Sequence, residues 1–274
     1  MRQRSTLATI AWLVLTVAMV SGVIGARPAA NSKGRLTTDL YFDWETVTAP
    51  EVSPDATQIV YSHRWSDKVN DKYENDIWIV NSDGSRNRFL VKGSSPRWSP
   101  DGKRIAYIAA GQPAGPQVFV RWMDTGDETQ LTHLEHPPSN IRWSPDGKRI
   151  AFNMNVPAKP GFTARMPARP AGAKWVDPPR VVDKLNYRAD GSGYRPEGFT
   201  HIFVIPDSGG TPRQLTDGDY NHGSPEWTPD SQTIIFSGTR KPDADYLRGG
   251  SEIYSLSVAS GQIRALTDRE GPDV

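Results

Sequence analysis

Arg97-Trp98-Ser99-Pro100-Asp101-Gly102-Lys103-Arg104 runs into Ile105-Ala106-Tyr107-Ile108 and returns as Arg142-Trp143-Ser144-Pro145-Asp146-Gly147-Lys148-Arg149 before Ile150-Ala151-Phe152. Looser copies stand on either side, Glu51-Val52-Ser53-Pro54-Asp55 before Ile59-Val60-Tyr61 and Glu226-Trp227-Thr228-Pro229-Asp230-Ser231 before Ile234-Ile235-Phe236. The prolines at 54, 100, 145 and 229 are 46, 45 and 84 residues apart, so one unit carries an insertion. Each anchor is followed by a second apolar run: Asp76-Ile77-Trp78-Ile79, Gln117-Val118-Phe119-Val120, His201-Ile202-Phe203-Val204 and Glu252-Ile253-Tyr254-Ser255. A Gly-bearing turn comes next (Gly84, Gly126, Gly209-Gly210, Gly261), and three units close on Leu-Thr at 131–132, 215–216 and 266–267.

Four short strands per unit at a period near 45 residues are the sequence signature of a propeller blade. The turn chemistry agrees. Pro presets φ, Asp bonds backbone amides two residues on, and Gly supplies the positive φ that follows. The reading is therefore an all-β fold, a β-propeller of four four-stranded antiparallel blades, open and incomplete as a ring. Recurrence at one blade position makes Trp98, Trp143 and Trp227 packing residues between blades. It likewise makes Asp101, Asp146 and Asp230 turn residues, not an acid–base set.

Residues 1–26 read as a signal peptide, with Arg2 and Arg4 ahead of an apolar stretch from Leu7 to Val20. An uncleaved anchor is the competing reading, although the run barely reaches the roughly 18 residues that a span needs. Residues 27–47 form an N-terminal lead, and 48–274 the blades, with an insert at about 156–199 in the third repeat. A periplasmic or extracellular location follows, with no membrane association after signal cleavage. The formal net charge of +1 gives no reason to expect nucleic acid as a partner. Absence of cysteine excludes disulfides, thiolate zinc sites and a cysteine nucleophile. The five histidines, at 63, 133, 136, 201 and 222, show no metal-ligand spacing. No metal and no cofactor is expected.

The combination of Trp-Ser-Pro-Asp-Gly-Lys-Arg-Ile-Ala, an aromatic strand and Gln-Leu-Thr resembles the TolB-like propeller repeat. The lead Leu36-Thr37-Thr38-Asp39-Leu40 looks like the start of prolyl oligopeptidase family peptidases. The stretches Tyr187-Arg188-Ala189-Asp190-Gly191-Ser192-Gly193-Tyr194 and Gly210 to Tyr220 are similar to bacterial dipeptidyl and acylaminoacyl peptidases of that family. The resemblance implies a propeller stacked on an α/β-hydrolase domain of the same parent protein, limiting access to small peptides. The family's Gly-x-Ser-x-Gly elbow does not occur in these residues, so no catalytic residue is assigned. Nor does the paired-glutamate motif that holds a substrate amino terminus, since Glu197 stands alone.

The insert holds seven prolines, five glycines and eight basic against four acidic residues between Val156 and Phe199. It reads either as a solvated loop or as a lip where Arg188, Asp190 and Tyr194 meet a peptide or the hydrolase domain. Three functional readings stay open: the non-catalytic propeller of a secreted peptidase, cut short of its hydrolase domain; a stand-alone TolB-like periplasmic binding module; and a relic without function. An open arc also has two end faces without a neighbour, expected to expose Ile59, Tyr61, Ile77, Ile79, Ile235, Ile253 and Leu256.

Overall fold

The structure, a computed structural model, describes residues 37–158, 168–176, 182, 184–242, 244–246 and 250–269. The stretch read as a signal peptide, part of the lead and parts of the insert lie outside them. The chain divides into two units, Met1–Trp44 and Glu45–Val274. The described part of the first has a four-residue helix α1 (Thr38–Tyr41). Beside it Tyr41 packs edge-on to Phe42, with ring centroids 5.7 Å apart.

The second unit is four antiparallel four-stranded sheets, each with its strands in sequence order. Blade 1 is β1 (Thr46–Val52), β2 (Gln58–Asp67), β3 (Lys72–Asn81) and β4 (Arg88–Lys92). Blade 2 is β5 (Ser94–Trp98), β6 (Arg104–Gly111), β7 (Gly115–Trp122) and β8 (Glu128–Gln130). Blade 3 is β9 (Pro138–Trp143), β10 (Arg149–Val156), β13 (Phe199–Pro206) and β14 (Arg213–Gln214). Between its middle strands the insert folds a hairpin, β11 (Arg188–Ala189) on β12 (Gly193–Tyr194). Blade 4 is β15 (Glu226–Trp227), β16 (Thr233–Gly238), β17 (Glu252–Ser257) and β18 (Ile263–Ala265). The expected four blades are present. The first strands of successive blades lie against one another, β1 on β5, β5 on β9 and β9 on β15, and so form the inner edge of the arc.

The Ser/Thr-Pro-Asp anchors are the four turns from first to second strand. In blade 2 the Ser99 hydroxyl donates to Asp101 Oδ1 at 2.5 Å and accepts from the Arg104 amide at 3.0 Å. Asp101 Oδ1 in turn accepts the Lys103 amide at 3.1 Å. Blades 1, 3 and 4 repeat this arrangement around Asp55, Asp146 and Asp230. Hydrogen bonds from Ser53, Ser144 and Thr228 hold those three carboxyls below the usual aspartate range.

Glycine completes the turn only in the two strong copies. Gly102 and Gly147 have φ of 68°, and the same left-handed position is filled by Ala56 at 58° and Ser231 at 60°. A Cβ costs energy there, so Ala56→Gly is expected to raise stability by about 1 kcal/mol in urea unfolding. Ser231→Gly should give no such gain, because its hydroxyl accepts the Asp146 amide of the preceding blade at 3.0 Å.

Three seams join the blades, and all have the same construction. The forward face of one blade is aliphatic; the rear face of the next carries a stacked aromatic pair. Val60, Ile77 and Ile79 meet Trp98, Ile105 and Tyr107. Ala106, Val118, Val120 and Leu131 meet Trp143, Phe152 and Phe203. Ile202, Val204 and Leu215 meet Phe236, Tyr254 and Leu256. The pairs Tyr107–Phe119, Phe152–Phe203 and Phe236–Tyr254 have centroids 5.7, 5.6 and 5.4 Å apart. The recurring tryptophans are packing residues here: Trp143 Nε1 donates to Arg97 O at 3.1 Å and Trp227 Nε1 to Arg142 O at 3.2 Å, each across a seam.

The expected set of end-face residues needs correction. Ile77, Ile79 and Leu256 are fully buried in seams, whereas Ile253 is 41% exposed. Successive side chains of a strand point to opposite faces. Each end blade therefore buries one parity of its residues and leaves the other, so Trp78 and Val80, not Ile77 and Ile79, share the outer face of blade 1 with Ile59 and Tyr61.

Candidate functional site

Because strands alternate in direction, every connection falls at one of two ends of the blades. One end collects the Pro-Asp turns and the short turns from third to fourth strand. The other collects the loops from second to third strand, including the insert and residues 239–251, and the connectors 131–137 and 215–225 between blades. Chain length and sequence variety are concentrated at this second, loop-bearing end, as expected of a binding surface on a rigid scaffold.

A repeated polar device caps that end. The first residue of each aromatic run is polar, and in blades 2, 3 and 4 it is buried: Gln117, His201 and Glu252. The threonine of Leu-Thr explains why. The Thr132 hydroxyl accepts the Val118 amide at 2.9 Å and donates to Gln117 Oε1 at 2.9 Å. The Thr216 hydroxyl accepts the Ile202 amide at 3.0 Å and lies 3.2 Å from His201 Nδ1. The Thr267 hydroxyl accepts the Ile253 amide at 2.9 Å and donates to Glu252 Oε2. That last bond, with the Arg269 amide on Oε1, holds the Glu252 carboxyl below the usual range.

In blade 3 the device extends into a node of rings and charges. His222, on the connector to blade 4, is 3% exposed and lies 5.2 Å from the His201 ring. Its amide and its Nδ1 both reach Thr200 O at 2.9 Å. Its carbonyl accepts from Asn153 Nδ2 at 3.2 Å. Arg240, just past β16, places Nη1 2.6 Å from His222 Nε2 and its guanidinium carbon 4.9 Å from the centre of the Tyr220 ring. An arginine has only donors, so Nε2 accepts and the ring proton sits on Nδ1, donated to Thr200 O. Burial is the main cause that pushes the His222 pKa down to about 4, and burial also lowers that of His201. One imidazole thus ties together the return strand of the insert, the connector and the start of the 239–251 loop.

The three residues singled out in the insert lie on its hairpin. Arg188 and Tyr194 are cross-strand partners, with the guanidinium carbon 6.0 Å from the ring centre, and Tyr187 lies 6.1 Å from the same ring. Asp190 is exposed in the turn between the strands. The hairpin gathers these side chains on one small surface but does not bury them. The histidine node was not foreseen. Its signal was the polar residue opening each aromatic run, which repeats in phase with Leu-Thr.

At the inner edge the next-to-last residues of the first strands form ion pairs between neighbouring blades. Arg97 meets Glu51 at 3.4 Å and Arg142 meets Glu226 at 2.8 Å. Burial raises the pKa of Glu51 despite the Arg97 charge. No set of three or more metal-ligating side chains occurs among the described residues.

Blades seamed and capped in this way make the molecule a β-propeller segment. Residues 174–274 match the family model described as the dipeptidyl peptidase IV N-terminal region. The uncharacterized peptidase YuxL of Bacillus subtilis is 25% identical over 196 residues, which cover 70% of this chain and 29% of YuxL. The Tol-Pal system protein TolB of Hahella chejuensis is 41% identical over 58 residues, 20% of this chain and 13% of TolB. Acylaminoacyl peptidase of Pyrococcus horikoshii superposes with a TM-score of 0.64 at 19% identity, over 84% of this chain and 33% of that one, and so shares the fold. The chain thus spans less than a third of the length of these curated relatives. Over these stretches the chain is similar to the N-terminal propeller regions of dipeptidyl peptidase-type members of the prolyl oligopeptidase family, and its repeats are similar to those of TolB.

Proposed function

We propose that the chain is the non-catalytic propeller portion of a secreted, periplasmic or extracellular serine peptidase of this family. An α/β-hydrolase domain outside these residues performs the hydrolysis, and the loop-bearing end controls which peptides reach it. Arg188, Asp190 and Tyr194 are the proposed contacts to peptide or hydrolase domain. The observation that carries this reading is the family match across residues 174–274, which takes in the insert hairpin, the histidine node and blade 4.

The test is fluorophosphonate labelling alongside hydrolysis of peptide, arylamide and ester substrates. Residues 1–274 should give neither, while a product of the same reading frame carried past codon 274 should be labelled on the serine of a Gly-x-Ser-x-Gly turn. Saturable labelling of a serine within 1–274, lost on heat denaturation, would refute the assignment. A frame that stops at codon 274 would favour the second reading, a TolB-like protein-binding module, which the repeat-level likeness to TolB supports.

A further inference from the structure

Half-buried arginines in the described chain follow a rule with one exception. Arg97, Arg104, Arg121, Arg142 and Arg149 each meet a carboxylate, from Glu51, Asp207, Glu128, Glu226 and Asp146 respectively. Arg240 is also half-buried, yet its partners among the described residues are all neutral. Nη1 donates to His222 Nε2 at 2.6 Å and lies 3.4 Å from the backbone carbonyl of Asp217, and the guanidinium sits over Tyr220. His222 accepts through a lone pair and brings no negative charge. Both hydrogen bonds use Nη1, so the Nε and Nη2 donors of the fork remain. A planar fork with two parallel donors matches a carboxylate in bidentate geometry.

We propose that Arg240 is a carboxylate-binding residue at the loop-bearing end, taking one carboxylate of a bound peptide. This rests on the reading that peptides reach that end. The support of the arginine is rigid: His222 is itself held by Thr200 and by Asn153, and Tyr220 backs the guanidinium plane. The site suits a single anionic group. Asp217 and Asp219 are exposed on the same connector, and their charges oppose a dense polyanion such as a nucleic acid. The peptide's carboxylate can come from its C-terminus or from an acidic side chain.

The experiment titrates the full chain, labelled with nitrogen-15 in arginine, with three probes: tetra-alanine with a free carboxylate, tetra-alanine amide, and acetyl-Ala-Glu-Ala amide. At least one carboxylate probe should bind about 10-fold more tightly than tetra-alanine amide and shift the Arg240 Nε–H resonance. The two carboxylate probes tell a terminal from a side-chain source. In Arg240→Gln the preference should vanish. Equal binding of all three probes to the native chain overturns the proposal, whether or not the variant folds. So does a preference that survives in a folded Arg240→Gln. Failure here leaves the peptidase reading standing, because that reading is tested separately by serine labelling of the longer product.

Discussion

Acidification from pH 7 to pH 4 is expected to remove about 3 kcal/mol of folding stability through His222 alone. In the unfolded chain this imidazole titrates near 6.5, while in the fold burial holds it at about 4. Between those values the unfolded chain carries a proton that the folded chain refuses. Stability therefore falls as pH drops through 6.5, continues to fall toward 4, and flattens below. Burial is the main physical cause, and a proton on Nε2 would also face the Arg240 guanidinium, while the hydrogen bond from Nδ1 to Thr200 O opposes the shift. His201 is also held down by burial and adds to the same trend; Asp217 and Asp219 attract the proton and moderate it. Urea unfolding at half-unit pH intervals should show this slope, and His222→Gln should remove most of it. A slope unchanged in that variant would mean that other groups control the acid response. For a domain stable by about 5–15 kcal/mol, the predicted loss is a large share.

Trp143→Ala should cost about 3–5 kcal/mol, near the upper end for one core truncation. The ring is 8% exposed between blades 2 and 3, with the Arg104 guanidinium 4.9 Å above it. Its indole N–H also closes the inner edge by donating to Arg97 O. A paired comparison separates packing from hydrogen bonding. Trp98 holds the same place one seam earlier, yet its buried Nε1 has no partner among the described residues. Trp143→Phe frees a carbonyl from its donor, whereas Trp98→Phe removes a donor that was already unsatisfied. Trp143→Phe should therefore be the costlier change by about 1 kcal/mol in chemical unfolding. Equal costs would show that ring volume alone decides.

Much of this molecule was legible in advance because its strongest signals are local. The Ser-Pro-Asp-Gly turn needs only residues within five positions of one another, and the hydrogen bonds around Asp55, Asp101, Asp146 and Asp230 are the ones its chemistry demands. Four such turns mark four blades. The face that each apolar residue takes was less legible. Ile77 and Ile79 alternate with Trp78 and Val80 in one unbroken apolar run, and composition cannot say which parity faces a neighbour. Of the candidate site, Arg188 and Tyr194 do meet, across a hairpin whose turn is Asp190-Gly191-Ser192. The His201–His222–Arg240 node escaped notice because its members sit 21 and 18 residues apart on three separate segments.

By itself the sequence determined the repeat: the turns, the four strands per unit, and the place where an insert interrupts them. Each follows from backbone preferences of Pro, Asp and Gly and from runs of apolar side chains, interactions that close within a few residues. Only the tertiary structure decided how the units meet. Aliphatic faces are matched to aromatic pairs, tryptophans donate across the seams, and threonine hydroxyls secure a buried Gln, His or Glu at the loop-bearing end. Those choices depend on distance and burial between segments far apart in the chain. The same holds for His222, which is neutral because folding buries it beside the His201 ring and the Arg240 guanidinium, and no short-range pattern encodes that environment.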